Sequence, residues 1–251
     1  MTSLRARRIT DAVLFDLDGV IVDSRVPFAR SVNAALAAHD LPTRPDDELH
    51  GYLGPPLHGT FARLGAPAQL VQSCVDAYRR RYSAMAAAET PVFPGMRAVI
   101  EELAAALPLV VATSKPRALA EPLLTDLGLR PFFRAVVGPG LDAEDERKAV
   151  TIGRALQEFA AQASPVMVGD RKFDVAGARE HAIPTIGVLW GIGSADELRE
   201  AGAHALARVP GELSPLVTTT AYRDHVSCDV ADMSATMKDR WNHGCDMQTP
   251  R

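Results

Sequence analysis

Short apolar runs recur along the chain, and each stops abruptly at polar residues. Val13-Leu14-Phe15 runs into Asp16-Leu17-Asp18-Gly19-Val20, the run from Leu107 to Ala112 into Thr113-Ser114-Lys115, and Val166-Met167-Val168 into Gly169-Asp170-Arg171-Lys172-Phe173-Asp174. Runs of this length bounded by turn-forming residues predict buried strands. We place strands near 12–17, 108–113, 135–138, 165–169 and 184–188. Between them, apolar residues fall at helical spacing, as in Ala149, Ile152, Ala155, Leu156 and Phe159. That spacing predicts helices near 116–127, 148–161 and 174–181. Strands alternating with helices imply an α/β fold with a doubly wound parallel sheet, a Rossmann-like core.

Residues 24–90 break this rhythm. They lack strand-like alternation and are dominated by Ala, Leu and Arg, which predicts an α-helical domain inserted after the first acidic strand end. Its hinges are expected before Arg25 and near Pro91-Val92-Phe93-Pro94-Gly95. The expected organisation is a core of residues 1–23 and 91–215, a helical insertion at 24–90, and a C-terminal tail of uncertain structure at 216–251. At 251 residues and 47% hydrophobic, the chain is long enough to bury a sizeable core.

The strand ends carry the chemistry. Two carboxylates two residues apart, where a buried strand meets a loop, repel one another unless a cation joins them. Hard oxygen ligands suit Mg²⁺, which also bridges to phosphate oxygens. Because parallel strands present their carboxyl ends along one edge, Asp16, Asp18, Asp170 and Asp174 are expected to converge from distant parts of the chain. Only four of the 27 basic residues are Lys, at 115, 148, 172 and 238, and the first three stand beside these motifs. Lys148 opens a helical pattern, which would bring its ammonium to the sheet edge.

In order and spacing, these residues resemble the haloacid dehalogenase superfamily over most of residues 11–210. The paired acids Asp16 and Asp18, the Thr113 that follows the second strand, Lys148, and the Asp170…Asp174 pair match its four motifs. The resemblance implies a Mg²⁺-dependent phosphatase: Asp16 as nucleophile forming an aspartyl-phosphate, Asp18 as general acid and base, and Thr113 and Lys148 holding the phosphoryl oxygens. Mg²⁺ is then expected on Asp16, the backbone carbonyl of Asp18 and Asp170, with Asp174 and Ser114 in support. The runs Gly51–Leu57, Gly169–Asp174 and Gly187–Ser194 are similar to the phosphoglycolate phosphatase and 5′-nucleotidase-like branch. Ser114 departs from the Asn that many relatives carry after the motif Thr. The helical insertion is then a cap that closes over the site. It contains no Lys, which argues against the Schiff-base chemistry of phosphonoacetaldehyde hydrolases.

Several readings stay open at this level. A phosphomutase of the same fold, or a non-catalytic binding protein on this scaffold, would share the motifs. His58 and Arg63, near the turn Gly54-Pro55-Pro56-Leu57, are either substrate contacts or solvated residues of a helix-to-helix turn. In the tail, His225, Cys228, His243 and Cys245 are either zinc ligands or part of a segment that is partly disordered or forms a short helix from Ala231 to Trp241 packed on the core or on a second subunit. A net charge of −4 gives no footprint for a nucleic-acid polymer, and no apolar stretch is long enough to span a membrane. Three scattered Cys suggest no disulfide framework. The expected partner is a small phosphorylated metabolite, the expected setting the cytoplasm, and the expected state a monomer or homodimer.

Overall fold

A computed structural model describes residues 10–143 and 146–220. Six parallel strands form one sheet in the order β3-β2-β1-β4-β5-β6: β1 (Ala12–Phe15), β2 (Leu109–Ala112), β3 (Ala135–Val137), β4 (Pro165–Gly169), β5 (Thr185–Val188) and β6 (Ala205–Ala207). The central strand β1 is wholly buried, with Val13 paired to Leu109 of β2 on one side and Val166 of β4 on the other. Side chains alternate along a strand, so both faces of this sheet must be covered. Val13, Phe15, Val111 and Val168 enter one apolar cluster, while Ala12, Leu14, Val110 and Met167 enter a second with Ile152, Ala155 and Ala178. The doubly wound architecture expected from the strand–helix rhythm is therefore present. Strand order reverses beside β1, which opens a crevice at its carboxyl end.

Residues 24–90 form α1 (Arg25–Ala37), α2 (Asp46–His50), α3 (Leu57–Arg63) and α4 (Ala68–Glu89), with no strand. Helices α1 and α4 pack through Phe28 and Tyr78, whose rings meet edge to face at 5.9 Å. Their buried residues are continuous with the cluster on the first sheet face. The chain enters and leaves this segment side by side: Asp23 N donates to Pro91 O at 2.9 Å and Phe93 N to Ile21 O at 3.0 Å.

The remaining helices are α5 (Met96–Ala104), α6 (Arg117–Asp126), α7 (Lys148–Leu156), α8 (Lys172–Glu180), α9 (Ala195–Ala201) and α10 (Leu213–Thr219). Helix α7 stops five residues short of the expected 161, its end tightening into turns such as Gln157 N to Arg154 O. Helix α8 starts two residues early, because the Asp174 carboxylate accepts from Arg171 N and satisfies a free donor of the first turn. Helices α5, α9 and α10 and strand β6 were not expected. Helix α10 runs across residue 215, and Thr10 N donates to Thr220 O, so packed chain extends five residues beyond the expected boundary. Among the described residues, no helix is long and apolar enough to cross a membrane.

Candidate active site

Asp16 follows the last residue of β1, and its backbone N–H donates to Val168 O at 2.9 Å, holding it against β4. Asp170 follows β4, and Lys148 opens α7. Three elements thus deliver a buried cation and buried acids to one point. Lys148 Nζ lies 2.9 Å from Asp16 Oδ1 and 2.7 Å from Asp174 Oδ1, and its side chain is 5% exposed. Burial opposes charge on this ammonium, but Asp16 and Asp174 outweigh it and hold its pKa above the ordinary lysine value. For Asp16, burial is the largest influence and pushes its pKa up to about 6, although Lys148 pulls it down. Burial, reinforced by Asp174 and Asp16, raises Asp170 well above the usual carboxylate range.

This cluster fits a hard divalent cation. Carboxylate oxygens of Asp16, Asp170 and Asp174 lie within 4.8 Å of one another. Both oxygens of Asp174 are engaged, one facing Lys148 and the other accepting from Arg171 N at 3.1 Å. Asp170 Oδ2 accepts from Ile192 N at 2.7 Å, whereas its buried Oδ1 has no partner. An orphaned buried carboxylate oxygen beside a second buried acid is costly without a cation. Gly19, at φ +84°, lets the loop after β1 press on this carboxylate, and a Cβ there would collide with Asp170. Gly191 and Gly193 are equally tight against Asp170 from the loop after β5.

Asp18 sits apart from this cluster. Lys115 Nζ donates to both of its oxygens, at 2.9 and 2.7 Å, and Ser24 Oγ donates to its Oδ1. Burial opposes charge on Lys115, but Asp18 dominates and holds its pKa above the ordinary value. The Lys115 ammonium also lies 4.6 Å from the centre of the Tyr82 ring of α4. Thr113, almost wholly buried, accepts from Lys115 N through Oγ1 at 3.1 Å.

A cavity of about 120 Å³ joins these groups: Asp16, Asp18, Thr113, Ser114, Lys148, Asp170 and Asp174 all line it, so the strand-end motifs converge as expected. The structure does not bring His58 and Arg63 into it. His58 Nε2 faces Gln72 Oε1 at 2.8 Å, and Arg63 lies over the Tyr52 ring at 4.6 Å. Sequence reasoning gave no role to Ser24 or Tyr82, and left Lys115 only as a general donor. The scarcity of Lys was the available signal for Lys115; its partner Asp18 lies 97 residues away. His225, Cys228, His243 and Cys245 lie outside the described residues.

Comparison with known proteins agrees with this geometry. The family model described as haloacid dehalogenase-like hydrolase matches residues 13–188. A tyrosine-protein kinase, PtkA, of Mycobacterium tuberculosis is 35% identical over 190 residues, covering 73% of this chain. The chain spans only 64% of that kinase's length. A 5′-nucleotidase of Pseudomonas aeruginosa is 35% identical over 207 residues, covering 81% of this chain and 92% of that protein. Among solved structures, one described as a predicted phosphatase from Clostridium acetobutylicum superimposes with a TM-score of 0.76 at 32% identity, covering 84% of this chain and 99% of that one. With the family match running from β1 to β5, and buried acids and a lysine converging at the strand ends, this chain belongs to the haloacid dehalogenase-like hydrolase family.

Proposed function

We propose that the chain is a Mg²⁺-dependent phosphatase that hydrolyses a small phosphomonoester through an aspartyl-phosphate on Asp16. The observation that carries this reading is the buried group of Asp16, Asp170 and Lys148, in which one acid has an unpartnered oxygen and the other faces an ammonium. Asp16 attacks phosphorus in line with the leaving oxygen; the new P–O bond forms as the ester P–O bond breaks. Asp18, oriented by Lys115 and Ser24, acts as general acid in its protonated form, its proton passing to the departing alkoxide as the ester P–O bond breaks. It then takes a proton from the water that attacks the same phosphorus, and Asp16 is released. Thr113 accepts from Lys115 N, so its hydroxyl hydrogen remains to donate to a phosphoryl oxygen, alongside Lys148 and Ser114. Asp16, Asp170 and the backbone carbonyl of Asp18 would hold Mg²⁺, which when bound would supply positive charge to offset that of the phosphoryl oxygens. Asp174 positions Lys148.

Residues 24–90 act as a cap whose paired entry and exit segments form the hinge, and closure shields the phosphoenzyme from premature attack. The cavity is below the roughly 300 Å³ of a drug-sized pocket, in keeping with a small substrate. The test is phosphate release from a panel of phosphomonoesters, with and without Mg²⁺. Release that requires metal and vanishes in Asp16→Asn supports the reading; metal-independent release, or release that persists in Asp16→Asn, refutes it.

A further inference from the structure

Besides its acids, this cavity has a largely apolar and aromatic lining. Phe28, Leu57, Tyr78, Tyr82, Leu119 and Phe173 line it, with Tyr78 and Tyr82 stacked at 5.6 Å and Phe28 edge-on to Tyr78. Phe173 is 48% exposed and also borders a second cavity of about 430 Å³, which shares the Pro55-Pro56 turn and Lys148 with the first. Phe173 is the one aromatic side chain, among the described residues, common to both linings.

Among the described residues, Lys115, Lys148, Arg147 and Arg171 are the cations that border either cavity, and each already faces a carboxylate. Lys148 is held between Asp16 and Asp174, and Lys115 by Asp18. Arg171 Nε donates to Glu197 at 2.9 Å, and Arg147 pairs with Glu180 at 3.0 Å. The transferring phosphoryl group makes its own demand on Lys148. A leaving group with a second negative charge would therefore enter the first cavity, where Lys115, Lys148 and Arg171 are all engaged by carboxylates, with no uncommitted cation to receive it, and burying an unpaired charge is strongly unfavourable. A flat apolar ring finds partners there in offset or edge contacts.

We infer that the site selects monoesters whose leaving group is uncharged and carries an aromatic or apolar face, and that it discriminates against leaving groups bearing a carboxylate. This rests on the phosphomonoesterase reading for the placement of the phosphoryl group, so its test includes binding without turnover. With Mg²⁺ present, the affinity of benzylphosphonate, which has no ester bond to hydrolyse, is compared by calorimetry with that of 4-carboxybenzylphosphonate and phosphonoacetate. In parallel, kcat/KM is compared for benzyl phosphate, 4-carboxybenzyl phosphate and phosphoglycolate. The benzyl compounds should lead by at least about tenfold in both series, a typical discrimination for one unfavourable group in a pocket. Leu57→Lys, or Leu119→Lys should the first variant fold poorly, supplies an uncommitted cation to the wall and should narrow or invert the ratio. Equal or tighter binding of the carboxylates by the unaltered protein would overturn the inference, because it would mean that Lys115 leaves Asp18 for the ligand. Absence of turnover together with the expected order of binding would count against the phosphatase reading and for the selectivity.

Discussion

Replacing Lys148 by Met keeps the aliphatic stem and removes the ammonium from between two buried carboxylates. Each ion pair, at 2.7–2.9 Å, attracts by roughly 6 kcal/mol at an effective dielectric of about 20. Much of this is offset by the cost of taking the ammonium out of water. Breaking a buried pair by deleting one partner nevertheless costs about 3–5 kcal/mol, because the remaining charge is stranded. Here the remainder is three carboxyl groups with oxygens within 4.8 Å of one another. For a domain of this size, about 2–4 °C per kcal/mol gives a fall in Tm of roughly 6–20 °C. The assay is urea and thermal unfolding in metal-free buffer at neutral pH, with Lys172→Met as control. Lys172 is exposed, and its substitution should stay within about 0.5 kcal/mol. A Lys148→Met protein within 1 kcal/mol of the parent would refute the view that this ammonium holds the acids together.

Three further outcomes follow from the same geometry. Without metal, the raised pKa of Asp16 means that the folded state keeps a proton, between about pH 4 and about 6, that the unfolded chain has lost. Stability should therefore fall as pH rises through that window, and the rise in Tm on adding Mg²⁺ should be larger at pH 7.5 than at pH 5; an equal rise would contradict the assignment. Gly19→Ala forces a left-handed backbone on a residue with a Cβ and drives that carbon into Asp170. It should cost at least 1–2 kcal/mol and weaken Mg²⁺ binding, both measurable by titrating Tm with metal. Asp18→Asn strands the buried Lys115 ammonium, so Tm should fall; it should also slow alkyl esters far more than nitrophenyl phosphate, whose leaving group needs little protonation, and equal slowing would remove Asp18 from the proton transfer.

The acidic strand ends were legible because each borders a short, wholly buried apolar run, and parallel strands must present such ends along one edge. Lys148 was legible for a related reason: it opens an amphipathic helix that packs on the second sheet face. The Asp18–Lys115–Tyr82 contact was not, since it joins the first strand end, the second and helix α4. No local pattern encodes a meeting of three distant segments. Strand β6 escaped because Ala-Leu-Ala lacks the β-branched residues that mark the equally short Ala-Val-Val of β3. Helix α5, by contrast, buries Met96, Val99, Ile100 and Leu103 at full helical spacing, so its signal was present in the sequence. Gly191 and Gly193 belong to a run that suggested only a subfamily; the close approach to Asp170 explains why glycine stands there.

The central claim is that Asp16 becomes phosphorylated during turnover. Mixing enzyme with Mg²⁺ and a hydrolysed ester, quenching in acid within the first turnover and mapping phosphate on the digested protein tests it directly. Phosphate on the peptide containing Asp16, absent in Asp16→Asn and lost on alkaline treatment, is the predicted result. Rapid phosphate release with an unmodified Asp16 at every quench time would contradict the account.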